Sequence, residues 1–321
     1  MKESVLRIGL FLLVVVLATF TFKYFTFSTS TDKEKEKDYY QNYISDHYKV
    51  FALDLPDTMD FVGEEVPLYM SDIKERLDRE MLVNVYWQSQ TLLFYKRANK
   101  FFPIIEPILK ENGIPDDFKF LALTESGLTN VVSPAGATGY WQFLKKTGIE
   151  YDLEVNGEVD ERYHLEKATV AFCKYMNDAH DKFNSWTLAA ASYNMGMGGL
   201  NNQITRQKAN NYYDLLLNEE TGRYVFRILA VKEILTNPTK YGFYFRPQDL
   251  YSPDVFKTIE VDHEIKNLAD FAYENNINYK ILKLLNPWLR QAQLSNPKGK
   301  VYSIKIPTEG YYSISQTDSL N

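Results

Sequence analysis

The stretch SWTLAAASYN, residues 185 to 194, is apolar almost all round a helical wheel. A helix without a polar face cannot lie on a surface; it has to stand at the centre with other helices packed around it. Asn184 or Ser185 is placed to cap its start. The chain supplies partners on both sides. In ATVAFCKYMNDAH, residues Ala168, Ala171, Phe172, Tyr175, Met176 and Ala179 fall on one stripe of a helix. In MSDIKERLDREMLVNVYW, Ile73, Leu77, Met81 and Val85 do the same, with Ser71 as its cap. TLLFYKRANKFFPIIEPILKENG predicts helix in two pieces, broken near Pro103 and Pro107 and stopped at Gly113. ETGRYVFRILAVKEILTNP predicts a last long helix that ends before Pro238. Residues 39 to 112, and then 114 to 238, are thus expected to be helical.

Past residue 243 the pattern changes. DVFKTIEV and KVYSIKIP read as strands, and IKNLADFAYENNI and NYKILKLLNPWL between them as helices. This predicts a small β-α-α-β module over residues 254–308, with 309–321 as a tail. The chain of 321 residues, 45% of them hydrophobic, has room for one substantial domain and small additions. Its net charge of −6 argues against a nucleic-acid partner. The single cysteine, Cys173, lies beside the 168–179 stripe and reads as a buried inert thiol, and no disulfide can form within the chain. His47, His164, His180 and His263 show no metal-ligand spacing, so no metal is expected.

The N-terminus carries Lys2 and Arg7 ahead of the apolar run Ile8 to Phe22, which YFTF extends to Phe27. Residues 1–27 are expected to be an uncleaved signal-anchor, the alternative being a cleaved signal peptide. Either places the rest outside the cytoplasm, because positive charge stays inside. STSTDKEKEKD, residues 28–38, reads as a solvated linker.

One carboxylate breaks the pattern. Pro115, Asp116 and Asp117 start a helix on which Phe118, Leu121, Ala122 and Glu125 share the buried face. Glu125 sits in the last turn, before Gly127. Apolar surroundings disfavour the charged form and raise the pKa. An acid kept protonated near neutral pH can protonate a leaving oxygen. The alternative is a Glu whose head reaches solvent or pairs with a base.

ESGL at 125, SPAGATGYWQF from 133, ASYNMG from 191 and ETGRYVFRILA from 220, in that order, resemble the lytic transglycosylases of glycoside hydrolase family 23, which have the goose-type lysozyme fold. LDREMLVN and VDERYHLEKATVAF extend the resemblance, which runs from Leu53 to Pro238 and is greatest to the D-type branch of the membrane-bound members. The segment 255 to 307 resembles a LysM module through LLNPWL and IKIP. The resemblance implies a mainly α, lysozyme-like catalytic domain over 113–242, an N-terminal helical region over 39–112 packed on it, and a LysM-like α+β module at the C-terminus.

It further implies Glu125 as the single acid/base. Ser126, Trp141, Gln142, Tyr193, Asn194 and Tyr224 would bind substrate, with Trp141 walling the groove, Gln142 at the sugar N-acetyl group, Tyr224 facing Glu125 and Glu220 behind it as a structural helper. Tyr140 stands where the family usually has Leu. The residues alone leave other roles open: a loop-bracing Gln142, core tyrosines at 193 and 224, and a helix C-terminal signal at Asn194. No second carboxylate stands in a motif opposite Glu125. The implied reaction is therefore non-hydrolytic cleavage of the N-acetylmuramic acid–N-acetylglucosamine bond of peptidoglycan, leaving 1,6-anhydromuramic acid, without metal or cofactor. A hydrolytic muramidase and a catalytically dead wall-binding scaffold are the rival readings. The implied partners are glycan strands, the membrane and other cell-wall enzymes, on the periplasmic side of a bacterial envelope.

Overall fold

The computed structural model describes residues 14–19, 21, 23, 42 and 49–308. Two units are distinguished, Met1–Leu53 and Asp54–Asn321. In the first, residues 14–19, 21, 23 and 42 are helical. The expected linker at 28–38, the tail at 309–321 and most of the expected anchor lie outside the described residues. Among the described residues no helix is long and apolar enough to cross a membrane.

The second unit opens with a hairpin, β1 (Asp60–Phe61) and β2 (Glu64–Glu65), where helix was expected. Val62 and Gly63 both have positive φ, and the Asp60 side chain accepts from the Gly63 N–H. This turn chemistry defeats helix locally. Then come α1 (Ser71–Tyr86), α2 (Gln88–Glu111), α3 (Lys119–Ser126) and α4 (Lys145–Glu150). The long helices α5 (Leu165–Phe183), α6 (Trp186–Met195), α7 (Met197–Gln207) and α8 (Glu219–Thr236) follow. The C-terminal part is β3 (Phe256–Val261), α9 (Leu268–Glu274), α10 (Tyr279–Leu285) and β4 (Tyr302–Pro307).

The apolar helix α6 is central, as its sequence demands. Ala189, Ala190, Ala191 and Ser192 are fully buried, and α5, α7 and α8 pack on it. Its cap is Ser185, which accepts from Leu188 N–H, whereas Asn184 is the left-handed C-cap of α5. A second cap comes from far away in sequence. Glu64 accepts from Ser185 Oγ at 2.9 Å, Trp186 N at 2.6 Å and Thr187 N at 3.0 Å. Partial burial pushes the Glu64 carboxyl up, but the donors of Thr187, Trp186 and Ser185 outweigh this and hold it below the ordinary carboxylate range. A group depressed in the folded state stabilises above its unfolded pKa and loses that contribution as pH falls through its folded one. Glu64→Gln is thus expected to cost about 1–2 kcal/mol near neutral pH. In thermal melts the gap to wild type closes as the pH is lowered below about 4.

Three further expectations are corrected. Ser71 lies inside α1, whose N-cap is Met70 without a side-chain bond. The stripe Ile73, Leu77, Met81 and Val85 is buried as expected. Helix α2 is one piece and contains both Pro103 and Pro107. The prolines are four residues apart on the exposed face, where carbonyls left without N–H partners can turn to water. Residues 114 to 238 are not uniformly helical either: the motif loop between α3 and α4 has no helix of its own.

At the C-terminus β3 and β4 pair antiparallel, Phe256 opposite Pro307 through Val261 opposite Tyr302. The apolar core of this β-α-α-β unit includes Leu268, Leu282, Trp288 and Ile304, and it takes in Val159 and Tyr163 from the segment before α5. Main-chain bonds join the two regions: Asp160 N to Trp288 O, Arg290 N to Glu158 O, and a bridge between Val159 and Leu289.

Candidate active site

Glu125 is brought to its place by the end of α3. Phe118, Leu121 and Ala122 are fully buried on the same stripe, and Gly127 ends the helix with φ +60°. The Tyr224 hydroxyl, from α8, donates to Glu125 Oε1. Burial pushes the Glu125 carboxyl above the ordinary carboxylate range; Tyr224 and the cation of Arg227 oppose this, and Glu220 adds to it. Tyr224 itself is fully buried and held far above the ordinary tyrosine range, first by burial and then by Glu125, so it remains a proton donor.

Tyr193 projects from α6 into the same space and donates to Trp141 O at 2.7 Å. Its ring meets Phe143, Phe172 and Tyr175 edge-on. One residue on, Asn194 donates through Nδ2 to Glu220 Oε1 at 3.0 Å and accepts from Thr221 Oγ1 at 2.7 Å. Asn194 therefore locks the C-terminal turn of α6 to the first turn of α8, and the two helices present Tyr193 and Tyr224 together.

The remaining candidates sit on the loop 133–143, which small bridges of Thr138 to Val132 and to Phe143 shape. Ser126 Oγ donates to Tyr140 O at 2.7 Å and so ties the end of α3 to this loop. Gln142 holds the left-handed backbone region, φ +53°, which a residue with a side chain adopts at some cost. Its Nε2 donates to Gly139 O at 2.7 Å and Val131 O at 3.1 Å. Two carbonyl partners require the nitrogen on that side and use both of its protons. The acceptor Oε1 makes no hydrogen bond among the described residues. The amide is therefore a braced acceptor, ready for an N–H from outside.

Trp141 departs from its expected place. It does not wall a groove: it is fully buried, its ring stacks on Phe172 at 3.8 Å, and its Nε1 donates to Thr169 at 2.9 Å. The motif needs the indole as an anchor that fixes the backbone on which Gln142 turns. Tyr140 points away too, packing on Phe101 at 5.2 Å and lining a small, partly open pocket with Trp288 and Lys305 of the C-terminal module. The exchange for Leu thus alters that junction.

Arg162, which the motif reading did not single out, supports the loop. It grips Asp160 in a buried two-point pair, Nε to Oδ1 at 2.9 Å and Nη2 to Oδ2 at 2.7 Å. Its Nη1 donates to Gly136 O at 3.2 Å and Phe143 O at 3.1 Å, at the two ends of the loop. Gly139 runs so close that an added Cβ would lie 2.0 Å from Arg162 O. The signal was present as Asp-x-Arg in VDERYHLEKATVAF, but a pair of charges in sequence carries no mark of burial. Among the described residues no group of His, Cys, Asp and Glu is arranged to hold a metal ion.

Residues 102–216 match the family described as the transglycosylase SLT domain, and residues 257–310 match the soluble lytic transglycosylase C-terminal LysM-like domain. Membrane-bound lytic murein transglycosylase D of Escherichia coli strain K12 is 29% identical over 195 residues, covering 58% of this chain and 42% of that protein. The protein of the same name from Escherichia coli O6:H1 matches with the same figures. The match thus spans less than half the length of these curated relatives. A solved structure of an inactive mutant of lytic transglycosylase Slt from Pseudomonas aeruginosa aligns with a TM-score of 0.36 and 20% identity, over 48% of this chain and 27% of that one. The chain carries a transglycosylase SLT domain followed by a LysM-like C-terminal domain, and it is a homologue of membrane-bound lytic murein transglycosylase D.

Proposed function

We propose that this chain is a peptidoglycan lytic transglycosylase that works with one carboxylate. The observation that carries the reading is Glu125, half-buried with its carboxyl raised in pKa, with one hydroxyl donor from Tyr224 and, among the described residues, no carboxylate set to hold a water opposite it. The other acid that Glu125 feels, Glu220, is exposed, and one of its oxygens takes the Asn194 amide. Most glycosidases divide the work between two carboxyl groups. Here the substrate supplies the second function.

Protonated Glu125 gives its proton to the oxygen between N-acetylmuramic acid and N-acetylglucosamine, and the bond from that oxygen to the anomeric carbon breaks. The N-acetyl oxygen of the muramic sugar stabilises the positive charge left behind. The Glu125 carboxylate then takes the proton of the C6 hydroxyl, and that oxygen bonds to the anomeric carbon to close the 1,6-anhydro ring. Acid and base are one residue, no water is consumed, and Glu125 ends protonated as it began. Gln142 Oε1 accepts the N–H of the N-acetyl group, and Tyr193 and Asn194 orient the sugar at the cleavage point. Ser126 and Trp141 act by holding the loop.

In the same reading the catalytic domain covers 113–242, the region 39–112 packs on it, and the module covers 254–308. The membrane-bound relative and the apolar N-terminal run support anchoring in the inner membrane with the remainder in the periplasm. Glycan strands are the substrate, and other cell-wall enzymes are partners of the same location.

Mass spectrometry of fragments released from purified peptidoglycan by the detergent-solubilised chain tests the reading. Products ending in anhydromuramic acid, one water lighter than hydrolysed ones, are expected. Reducing ends would make the protein a muramidase. Binding without release would make it a scaffold.

A further inference from the structure

The last turn of an α-helix leaves carbonyls that the helix does not pair. In α3 these lie at the site. Leu123 O accepts from Gly127 N and Ser126 O from Thr129 Oγ1 at 2.6 Å. Two further carbonyls, Thr124 O in the last turn and Gly127 O at its C-cap, go to guanidinium groups. Arg227 Nη2 reaches Thr124 O at 2.9 Å, and Arg97 Nη1 reaches Gly127 O at 3.0 Å. One cation comes from α8 and the other from α2, so the turn that carries Glu125 is clamped from both sides. Cations at a helix C-terminus are favoured by the helix dipole as well.

The two arginines differ in what else they face. Arg97 passes against Gly127, where an added Cβ would stand 3.1 Å from its Nη1. Arg227 follows Tyr224 by three residues and shares its face of α8. The helix therefore offers Glu125 a hydroxyl donor and a positive charge one turn apart. Arg227 forms no direct ion pair with Glu125 among the described residues, because its guanidinium is engaged by Thr124 O. Its field reaches the carboxyl without capturing it.

We propose that Arg227 is a positioning residue for the transglycosylase reaction, which fixes the last turn of α3 and stabilises the Glu125 carboxylate that exists between the two proton transfers. The proposal rests on the reading of Glu125 as the acid/base. A buried anion formed mid-reaction needs a nearby cation, whereas a tight ion pair would leave it too weak a base to deprotonate the C6 hydroxyl. A cation held at one remove answers both needs. The groups that face Glu125 are Tyr224, Arg227 and Glu220 from α8 and Tyr193 from α6, with Arg97 of α2 behind Gly127. Of these, Arg227 is the cation that opposes burial.

The test is the pH profile of the initial rate on purified peptidoglycan at low substrate, for wild type and for Arg227→Gln, Arg227→Met, Arg227→Lys and Arg97→Met, with melting temperatures measured alongside. Activity needs protonated Glu125, so it falls as pH rises through the pKa of that group. In Arg227→Gln and Arg227→Met this limb is expected to move upward by about one pH unit, with a rate loss of about tenfold at the optimum. Arg227→Lys keeps the limb in place, and Arg97→Met keeps it in place while lowering the melting temperature. Gln retains a donor for Thr124 O, so the charge can be read even where the Met variant does not fold. An unmoved limb in Arg227→Gln would overturn the proposal and leave Arg227 a helix cap. A wild-type protein that releases no anhydromuropeptides would overturn the proposed function instead.

Discussion

Glu125→Gln is expected to abolish release of anhydromuropeptides, a loss on the order of 10³-fold or more, because the side chain can no longer give or take a proton. The change is otherwise mild. Gln has the shape of Glu, and its Oε1 can still accept the Tyr224 hydroxyl. Stability should move in the opposite direction to activity. The Glu125 carboxyl is raised by burial, so ionising it costs the folded state more than it costs the unfolded chain. That cost is absent below the unfolded pKa and grows as pH rises toward the folded one. The Gln variant should therefore melt at or above the wild-type temperature at neutral pH, with the advantage vanishing in acid. A functional group that weakens the fold is what a site selected for chemistry predicts. Full activity in the variant, or a clear drop in its melting temperature, would sink the assignment.

Arg162→Met is expected to produce the largest loss of stability. It leaves the Asp160 carboxylate buried without its cation and leaves Gly136 O and Phe143 O without that donor. Removing one member of a buried ion pair costs about 3–5 kcal/mol, which for a fold of this size lowers the melting temperature by roughly 10 °C. Activity should fall further than stability explains, since the loop that orients Gln142 loses its two hydrogen bonds from Arg162. The double variant Asp160→Asn with Arg162→Met separates the causes. Removing both charges should recover part of the stability, because no unpaired carboxylate remains, but not the activity. Recovery of both would mean that Arg162 serves only to neutralise Asp160.

Much of this was legible in the chain. Stripes such as Ile73–Leu77–Met81–Val85 needed only the helical period, and α6 announced its burial by having no polar side. Glu125 was visible as the exception on such a stripe. What sequence did not carry were facts that exist only between distant elements. Pro103 and Pro107 read as breaks until the fold put them on the exposed side of one helix. The hairpin at Asp60–Glu65 is short enough to be lost among helical signals, yet it delivers Glu64 to α6. Trp141 read as a groove wall through the family resemblance, but Phe172 and Thr169 decide where an indole is buried. Arg97, Arg162 and Arg227 are ordinary surface types in sequence, and their carbonyl partners are main-chain atoms with no sequence signature at all.

The sharing of Val159 and Tyr163 with the C-terminal core has a consequence for how the chain can be divided. Those two side chains belong by sequence to the stretch that leads to Asp160 and Arg162, yet they are buried by Leu268, Trp288 and Ile304. A chain ended at residue 253 would open an apolar socket beside Tyr163 and leave the main chain at Val159 and Asp160 as an unpaired edge, the kind of surface that recruits other copies. Solubility is therefore what residues 254–308 confer on the rest.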